Sequence, residues 1–200
     1  MNTVAAMILA AGEGRRMGGP NKLLAEIAGV SLIRRVTEAA LASHALRPVV
    51  VVTGHRPEAI RAALAGLDVA NVDNPDYASG LSTSLKAGIA TLGTEIDGAL
   101  ILLGDMPFVD SATIDGILAA FEGSGRRAIV APVHDGRRGN PVLWPRRFFP
   151  ALVAIEGDKG ARDLITAHTT EVIEVAAGPG VGHDLDTPEV LAKAGGRLPS

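Results

Sequence analysis

Leu9-Ala10-Ala11-Gly12-Glu13-Gly14-Arg15-Arg16-Met17-Gly18-Gly19-Pro20-Asn21-Lys22 continues directly from the apolar run Val4–Ala10. An unbroken apolar run of this length, ended by glycine, predicts a strand covered on both faces, as in a mostly parallel sheet. A glycine-rich loop carrying Arg15, Arg16 and Lys22 follows it. In an open α/β sheet, ligands bind beyond the carboxyl ends of the strands. Glycines there let backbone N–H groups approach phosphate oxygens, and guanidinium and ammonium groups supply the counter-charge. The bland alternative is an ordinary glycine-rich turn with solvated arginines.

Two familiar phosphate loops do not fit. The dinucleotide fingerprint needs G-x-G-x-x-G, whereas Gly12, Gly14 and Gly18 are spaced G-x-G-x-x-x-G, and Thr53-Gly54-His55 offers no acid for a ribose. The P-loop glycines are matched by Gly14 and Gly19, but Pro20 and Asn21 stand where Lys and Ser/Thr belong.

Working outward, further short apolar runs occur at Pro48–Thr53, Val69–Asp73, Gly98–Leu103, Ala128–Ala131 and Val172–Ala176. Between them, amphipathic stretches predict helices at Ser31–Ser43, Pro57–Leu64, Ser82–Leu92, Ser111–Phe121 and Lys159–Ala167. Ser31, Pro57, Ser82 and Ser111 suit helix starts. Such alternation implies right-handed βαβ crossovers and a three-layer α/β domain. Residues 132–145, with the polar turn His134–Gly139, read as a hairpin inserted near the sheet edge. Residues 1–192 are expected to form one domain, and 193–200 a frayed C-terminal tail.

The 200 residues suit a single domain, at about 100–200 residues each. Hydrophobic residues make up 47% and charged residues 20%, which excludes a disordered chain. Aromatics are only 3%, so the core must be aliphatic. A formal charge of −3 argues against a general nucleic-acid binder, which would carry a basic excess. The absence of cysteine excludes thiolate chemistry and disulfides. No apolar stretch is long enough for a membrane span and no secretory leader is recognisable, so a cytoplasmic location is expected.

Two acidic clusters carry further chemistry. Asp105, in Leu103-Gly104-Asp105-Met106-Pro107, lies just past an apolar strand, on the same sheet edge as the glycine-rich loop. Ser111 is the better helix cap, which leaves Asp105 free as a hard oxygen ligand for Mg²⁺ beside a triphosphate. Asp184 and Asp186 alternate in His183–Glu189 and so share a face if extended. Asp186 reads equally as a metal ligand or as the cap of a helix opened by Thr187-Pro188. The remaining candidates read as structural. The histidines form no metal-ligand spacing, and the arginine pairs 34–35, 126–127 and 146–147 are expected on solvated faces. Ser82, Thr83 and Ser84 lack a nucleophile elbow and suit a helix N-terminus facing a nucleotide. Trp144 is expected in the core, and Met17 under the loop.

The motif series resembles the MobA-like nucleotidyltransferases, and among them the molybdenum cofactor cytidylyltransferases. The family's L-A-A-G-x-G-x-R-M-G…K-L-L is met by Leu9 through Gly18 and Lys22–Leu24, and its G-D-M-P by Gly104–Pro107. Asn74-Pro75, Gly80, Ser84-Leu85 and Gly88 match a third motif, and Gly136, Gly139 and Asn140–Leu143 a fourth. Gly157–Arg162 and Asp184–Glu189 complete the series, which runs from Val4 to about Glu189.

That resemblance implies a Rossmann-like, three-layer α/β/α nucleotide-diphospho-sugar transferase fold, with a mostly parallel sheet and an inserted β-hairpin. It implies transfer of CMP from CTP to a molybdopterin-type phosphate, with Mg²⁺ and release of pyrophosphate. Arg16 and Lys22 would hold the triphosphate, while Asp105 and Asp186 would ligate the metal. Leu9, Ala10, Ala11, Gly12, Gly14, Gly80 and Ser84 would line the nucleotide site, and Arg138, Asn140 and Lys159 the acceptor site. Ala11 stands where guanylyl-transferring relatives carry glycine, which favours CTP over GTP; a methyl group is worth about 1–3 kcal/mol of such discrimination. Asn140 departs from the histidine of many cofactor cytidylyltransferases, so a sugar or polyol phosphate remains a competing acceptor. A nucleotide-binding assembly protein serving a molybdoenzyme client is the reading from a different class.

Overall fold

The described residues of the computed structural model are 3–12, 21–157 and 160–198. Along the chain, β1 (Thr3–Ala10) precedes a small antiparallel pair, β2 (Glu26–Ile27) and β3 (Val30–Ser31). Then come α1 (Leu32–Ala42), β4 (Leu46–Thr53), α2 (Pro57–Ala63), β5 (Ala70–Asp73), α3 (Leu81–Ala90) and β6 (Ile96–Leu103). The second half holds α4 (Ser111–Gly123), β7 (Ile129–His134), β8 (Arg137–Arg138), β9 (Val142–Pro145), α5 (Phe149–Val153) and α6 (Arg162–Ala167). It closes with β10 (Val172–Ala176), α7 (Pro188–Lys193) and β11 (Gly196–Arg197).

The main sheet runs β10-β7-β9-β6-β1-β4-β5, with β8 paired to β7. β1 lies between β4 and β6, parallel to both. Its side chains alternate between two cores because both faces are covered. Val4, Ala6, Ile8 and Ala10 pack with Ile33 and Val36 of α1 and Ile114, Ile117 and Phe121 of α4. Ala5, Met7 and Leu9 pack with Leu85 and Ile89 of α3 and Leu152 of α5. The result is the expected three-layer α/β/α arrangement. A Cβ on Gly88 would come within 2.1 Å of the Met7 sulfur, so this glycine lets α3 lie close on β1.

The expected hairpin is present: β7 is antiparallel to β8 across the polar turn and antiparallel to β9, next to the edge strand β10. β9 is antiparallel to both β6 and β7 and lies between them. Its residues Val142–Pro145 are all buried, and an apolar stretch of that kind belongs inside a sheet. Only β8, polar and exposed, stays peripheral. The segment expected to fray contributes β11, which pairs with β2 in a separate three-stranded sheet. That sheet shares a small core of Ala25, Leu32, Leu185 and Leu191 with α7.

The helix starts are corrected in two places. Asp110, not Ser111, caps α4, its carboxylate accepting from Thr113 N–H at 2.8 Å. α3 begins at Leu81 after Gly80, which places Ser82 inside the first turn. Ser31 is the N-cap residue of α1, as expected, although its side chain makes no capping bond. The arginine pairs are not simply solvated: Arg146 donates to the Gly93 and Ile96 carbonyls at 2.6 and 2.9 Å, and Arg34 to those of Ala63 and Ala65. Trp144 is buried as expected. Met17 lies outside the described residues. Among the described residues no helix is long and apolar enough to cross a membrane.

Candidate active site

Parallel register brings three strand ends to one edge: Leu9 stands opposite both Val52 and Leu103, and Ala10 opposite Thr53. The chain segments leaving those ends are packed tightly. The Gly104 N–H donates to the Leu9 carbonyl at 3.1 Å, and the His55 N–H to that of Ala11 at 3.2 Å. A Cβ on Gly54 would lie 2.5 Å from the Tyr77 Cβ and 2.9 Å from the Ala11 Cβ. Leu9, Ala10 and Ala11 are buried at this edge, whereas Gly12 is exposed with open space beside it. Gly14 and Arg16 lie outside the described residues.

Lys22 opens a single 3-10 turn (Lys22–Leu24) at this edge. Asn21 sets the turn. Buried to 1% exposure, it accepts from the Leu23 N–H at 3.0 Å and donates toward the His55 carbonyl at 3.5 Å. Leu23 enters the core, and Lys22 is left facing the strand ends. Its ammonium lies 2.5 Å from Asp105 Oδ2 and also donates to Asp186 Oδ1. Burial works against that charge, but attraction and hydrogen bonding to Asp105, then to Asp186, outweigh it and hold Lys22 above the ordinary lysine value.

The second acid is delivered by backbone. The Leu185 N–H donates to the Asp105 carbonyl at 3.1 Å, which fixes the extended 184–186 segment against the end of β6. Thr187, not Asp186, caps α7, so the Asp186 carboxylate is available to the site. Asp184 is exposed as a residue. Partial desolvation of its carboxyl, and then the nearby Asp186 and Asp105 charges, nevertheless hold it above the ordinary aspartate value, although a bond from its own backbone N–H opposes this.

Such a donor set suits a divalent ion. Among the described residues no three His, Cys, Asp or Glu side chains form a metal cluster by themselves. Two hard carboxylates that converge on one cation are, however, what Mg²⁺ or Mn²⁺ needs when phosphate oxygens complete the shell.

The α3 N-terminus flanks the edge through Tyr77, whose ring meets that of His55 at 6.0 Å. Gly80, at φ +109°, is the cap residue, a conformation that a side chain would strain. The Asn74 amide donates to Thr83 Oγ1 at 2.8 Å and to Ser84 Oγ at 3.1 Å, which orients both hydroxyls.

Of the residues expected to bind the acceptor, Asn140 donates its N–H to the Val181 carbonyl at 2.9 Å, just before β9, where Val142 stands opposite Ile101 of β6. Arg138 is not brought to the acids. It sits on β8 with its Nε 2.6 Å from Glu174 of the outer strand β10. Lys159 lies outside the described residues. Sequence reasoning missed Asn21, although an Asn directly before Lys-Leu-Leu is a capping signal.

A MobA-like NTP transferase domain matches residues 6–172. Over 192 residues the chain is 31% identical to a molybdenum cofactor cytidylyltransferase of Escherichia coli, covering 94% of each. Over 199 residues it is 31% identical to a molybdenum cofactor guanylyltransferase of Pseudomonas paraeruginosa, covering 94% of this chain and 92% of that one. It is also 29% identical to nicotine blue oxidoreductase of Paenarthrobacter nicotinovorans, covering 94% of each. The bifunctional protein GlmU of Leifsonia xyli matches at 30% identity over 64% of this chain, which spans only 26% of that longer protein. Among solved structures, Rv0371c of Mycobacterium tuberculosis superposes with a TM-score of 0.83 at 24% identity, covering 98% of this chain and 99% of that one. The same protein in complex with manganese gives 0.80 at 24% identity, covering 96% and 97%.

Proposed function

The chain belongs to the MobA-like NTP transferase family and is a nucleotidyltransferase, and from that premise we propose that it moves CMP from CTP to a molybdopterin-type phosphate. An ionised oxygen of the acceptor phosphate attacks the α-phosphorus. The bond from that phosphorus to the bridging oxygen breaks, and pyrophosphate leaves with the electron pair. The attacking oxygen is already anionic, so no general base is required. The work left to the protein is to align two anions and to spread the charge that gathers between them.

The observation that carries this reading is the Lys22 ammonium held between Asp105 and Asp186 where three parallel strands end. Lys22 supplies a compact cation for the α-phosphate. Backbone at Ala10–Gly12 and the Gly80–Ser84 turn supply donors to the nucleoside, with Gly14 and Arg16 assigned to the triphosphate. A divalent ion on Asp105 and Asp186 would neutralise phosphate oxygens; Mg²⁺ is the expected ion. Asn140 and Lys159 are assigned to the acceptor. Arg138 could join them only by leaving Glu174.

Cytidylyl- and guanylyltransferase relatives match with equal identity, so overall likeness does not choose the nucleotide. Ala11 favours CTP. Pyrophosphate release should be measured with CTP or GTP, Mg²⁺ or Mn²⁺, and molybdopterin or sugar and polyol phosphates as acceptors. CTP-dependent release with the pterin acceptor is expected. Release with GTP alone would reject the cytidylyl assignment, and tight CTP binding with no release under any condition would instead favour an assembly role.

A further inference from the structure

Lysine carries its charge at the end of a flexible four-carbon stem, so the side chain alone does not fix where the Lys22 ammonium sits; the backbone beneath it must. Both chain neighbours of Lys22 are buried, Asn21 to 1% and Leu23 to 4% exposure. Leu23 locates the turn on one side. A Cβ on Gly104 would lie 3.3 Å from the Leu23 Cδ1, so Leu23 packs against the residue just before Asp105.

Asn21 locates the turn on the other side. A buried amide has to satisfy both its oxygen and its N–H groups. The Asn21 oxygen accepts the Leu23 N–H within the turn, while its nitrogen donates to the His55 carbonyl, 34 positions away at the exit of β4. The His55 N–H in turn donates to the Ala11 carbonyl. One hydrogen-bonded path therefore runs from the Leu23 N–H through the Asn21 amide and the His55 backbone to Ala11. The first of these bonds closes the turn and needs only an oxygen. The second does nothing for the turn itself; it joins the turn to the segment leaving β4 and, through it, to the end of β1.

We infer that Asn21 is a positioning residue for Lys22: its amide N–H ties the Lys22 turn to the exit of β4, which holds the ammonium at a set distance from the Ala11 edge. The inference rests on the nucleotidyl-transfer reading for what Lys22 does, and adds to it what keeps Lys22 in place. Asn21 acts through Lys22 and not on the substrate. Loss of the tie therefore shows in turnover more than in nucleotide binding, because a displaced cation stabilises the charge of the transition state less.

Asn21→Ser keeps an oxygen that can cap the turn but is a bond too short to reach the His55 carbonyl as well, and Asn21→Ala keeps neither contact. In both, the kcat for pyrophosphate release from CTP should fall by about tenfold to a hundredfold, the scale of a small misplacement, with the KM for CTP little changed. Acetylation by acetic anhydride, followed by peptide mass spectrometry, reads Lys22 without turnover, with the exposed Lys193 as internal reference. Lys22 should react more slowly than Lys193 in the wild type and gain several-fold in both variants. If Asn21→Ala does not fold by circular dichroism, Asn21→Ser carries the test, since its cap is intact. Full kcat in Asn21→Ser overturns the inference, as does Lys22 shielding equal to that of the wild type. A loss confined to the melting temperature overturns it too and leaves Asn21 a cap alone. Failure of the wild type to release pyrophosphate from CTP or GTP with any acceptor, while Asn21-dependent shielding of Lys22 persists, overturns the transfer reading and leaves Asn21 as the residue that places Lys22.

Discussion

The two ends of β6 carry nearly the same set of charges. At its start, Asp97 lies 2.6 Å from Arg126, which also binds Glu122. Past its end, Asp105 lies 2.5 Å from Lys22, which also binds Asp186. Each is one cation shared by two acids, and in each the cation is held above its ordinary value. They differ in what surrounds them. Arg126 fills its planar fork with two carboxylates on the more exposed end. Lys22 is a point charge, 16% exposed, at an edge where Gly54 lets its segment lie close on Tyr77 and Ala11, and Gly104 on the Leu9 carbonyl. Counting charges does not separate the two ends; the backbone beside them and the shape of the cation do.

Removing one acid from each end sets the comparison at its widest. Asp105→Asn should lower pyrophosphate release by about a thousandfold, the scale expected for losing a charged group that acts on the transition state. Asp97→Asn should leave release unchanged and cost less than about 1 kcal/mol of stability, as breaking a partly exposed ion pair does. Similar losses of activity in both variants would erase the distinction. Exchanging the cations follows. Lys22→Arg should lower turnover by about a hundredfold, because a guanidinium cannot stand in the space of an ammonium between two carboxylates. Arg126→Lys should leave turnover intact and shift stability by no more than about 0.5 kcal/mol. Initial rates together with thermal denaturation read both pairs.

The central strands were legible because unbroken apolar runs ended by glycine or a polar turn leave little choice when both faces are buried. β9 was harder to place. Its four buried residues follow the polar turn 134–139, and local pattern does not say whether a returning strand pairs at the edge or enters the sheet. β11 is two residues long, one of them glycine, and exists only because β2 is there to pair with it. Lys22, Asp105 and Asp186 are separated by 83 and 164 positions, yet each was readable from its place just beyond an apolar strand or before a helix. Arg138 carried no such signal: a charged residue in a turn can face either way, and Glu174, close in space but 36 positions off, decides it.

Ala11 tests a finer grade of the same edge. Its methyl group is buried against the Gly54 turn. Ala11→Gly should shift the ratio of CTP to GTP turnover toward GTP by about tenfold, in keeping with about 1–3 kcal/mol for a methyl-sized exclusion. An unchanged ratio in competition assays would move nucleotide choice elsewhere in the pocket.

Asp110 gives the smallest effect and tests whether position alone makes a carboxylate functional. It lies five residues past Asp105, after the same strand, yet its oxygen caps α4. The Thr113 side chain and then its backbone N–H hold Asp110 below the ordinary aspartate value. A depressed carboxylate stabilises the fold fully above its unfolded value, and that contribution is lost as pH falls through the folded one. Asp110→Ala should therefore cost about 1 kcal/mol at neutral pH, the usual worth of a helix cap, and the gap from wild type should narrow as the pH drops below about 4. Asp110→Asn, which still caps, should lose little stability, and both variants should transfer nucleotide at the wild-type rate. A large fall in rate for Asp110→Asn at unchanged stability would mean that any acid beyond the end of β6 serves the reaction, and that the partner of the acid is not what separates site from scaffold.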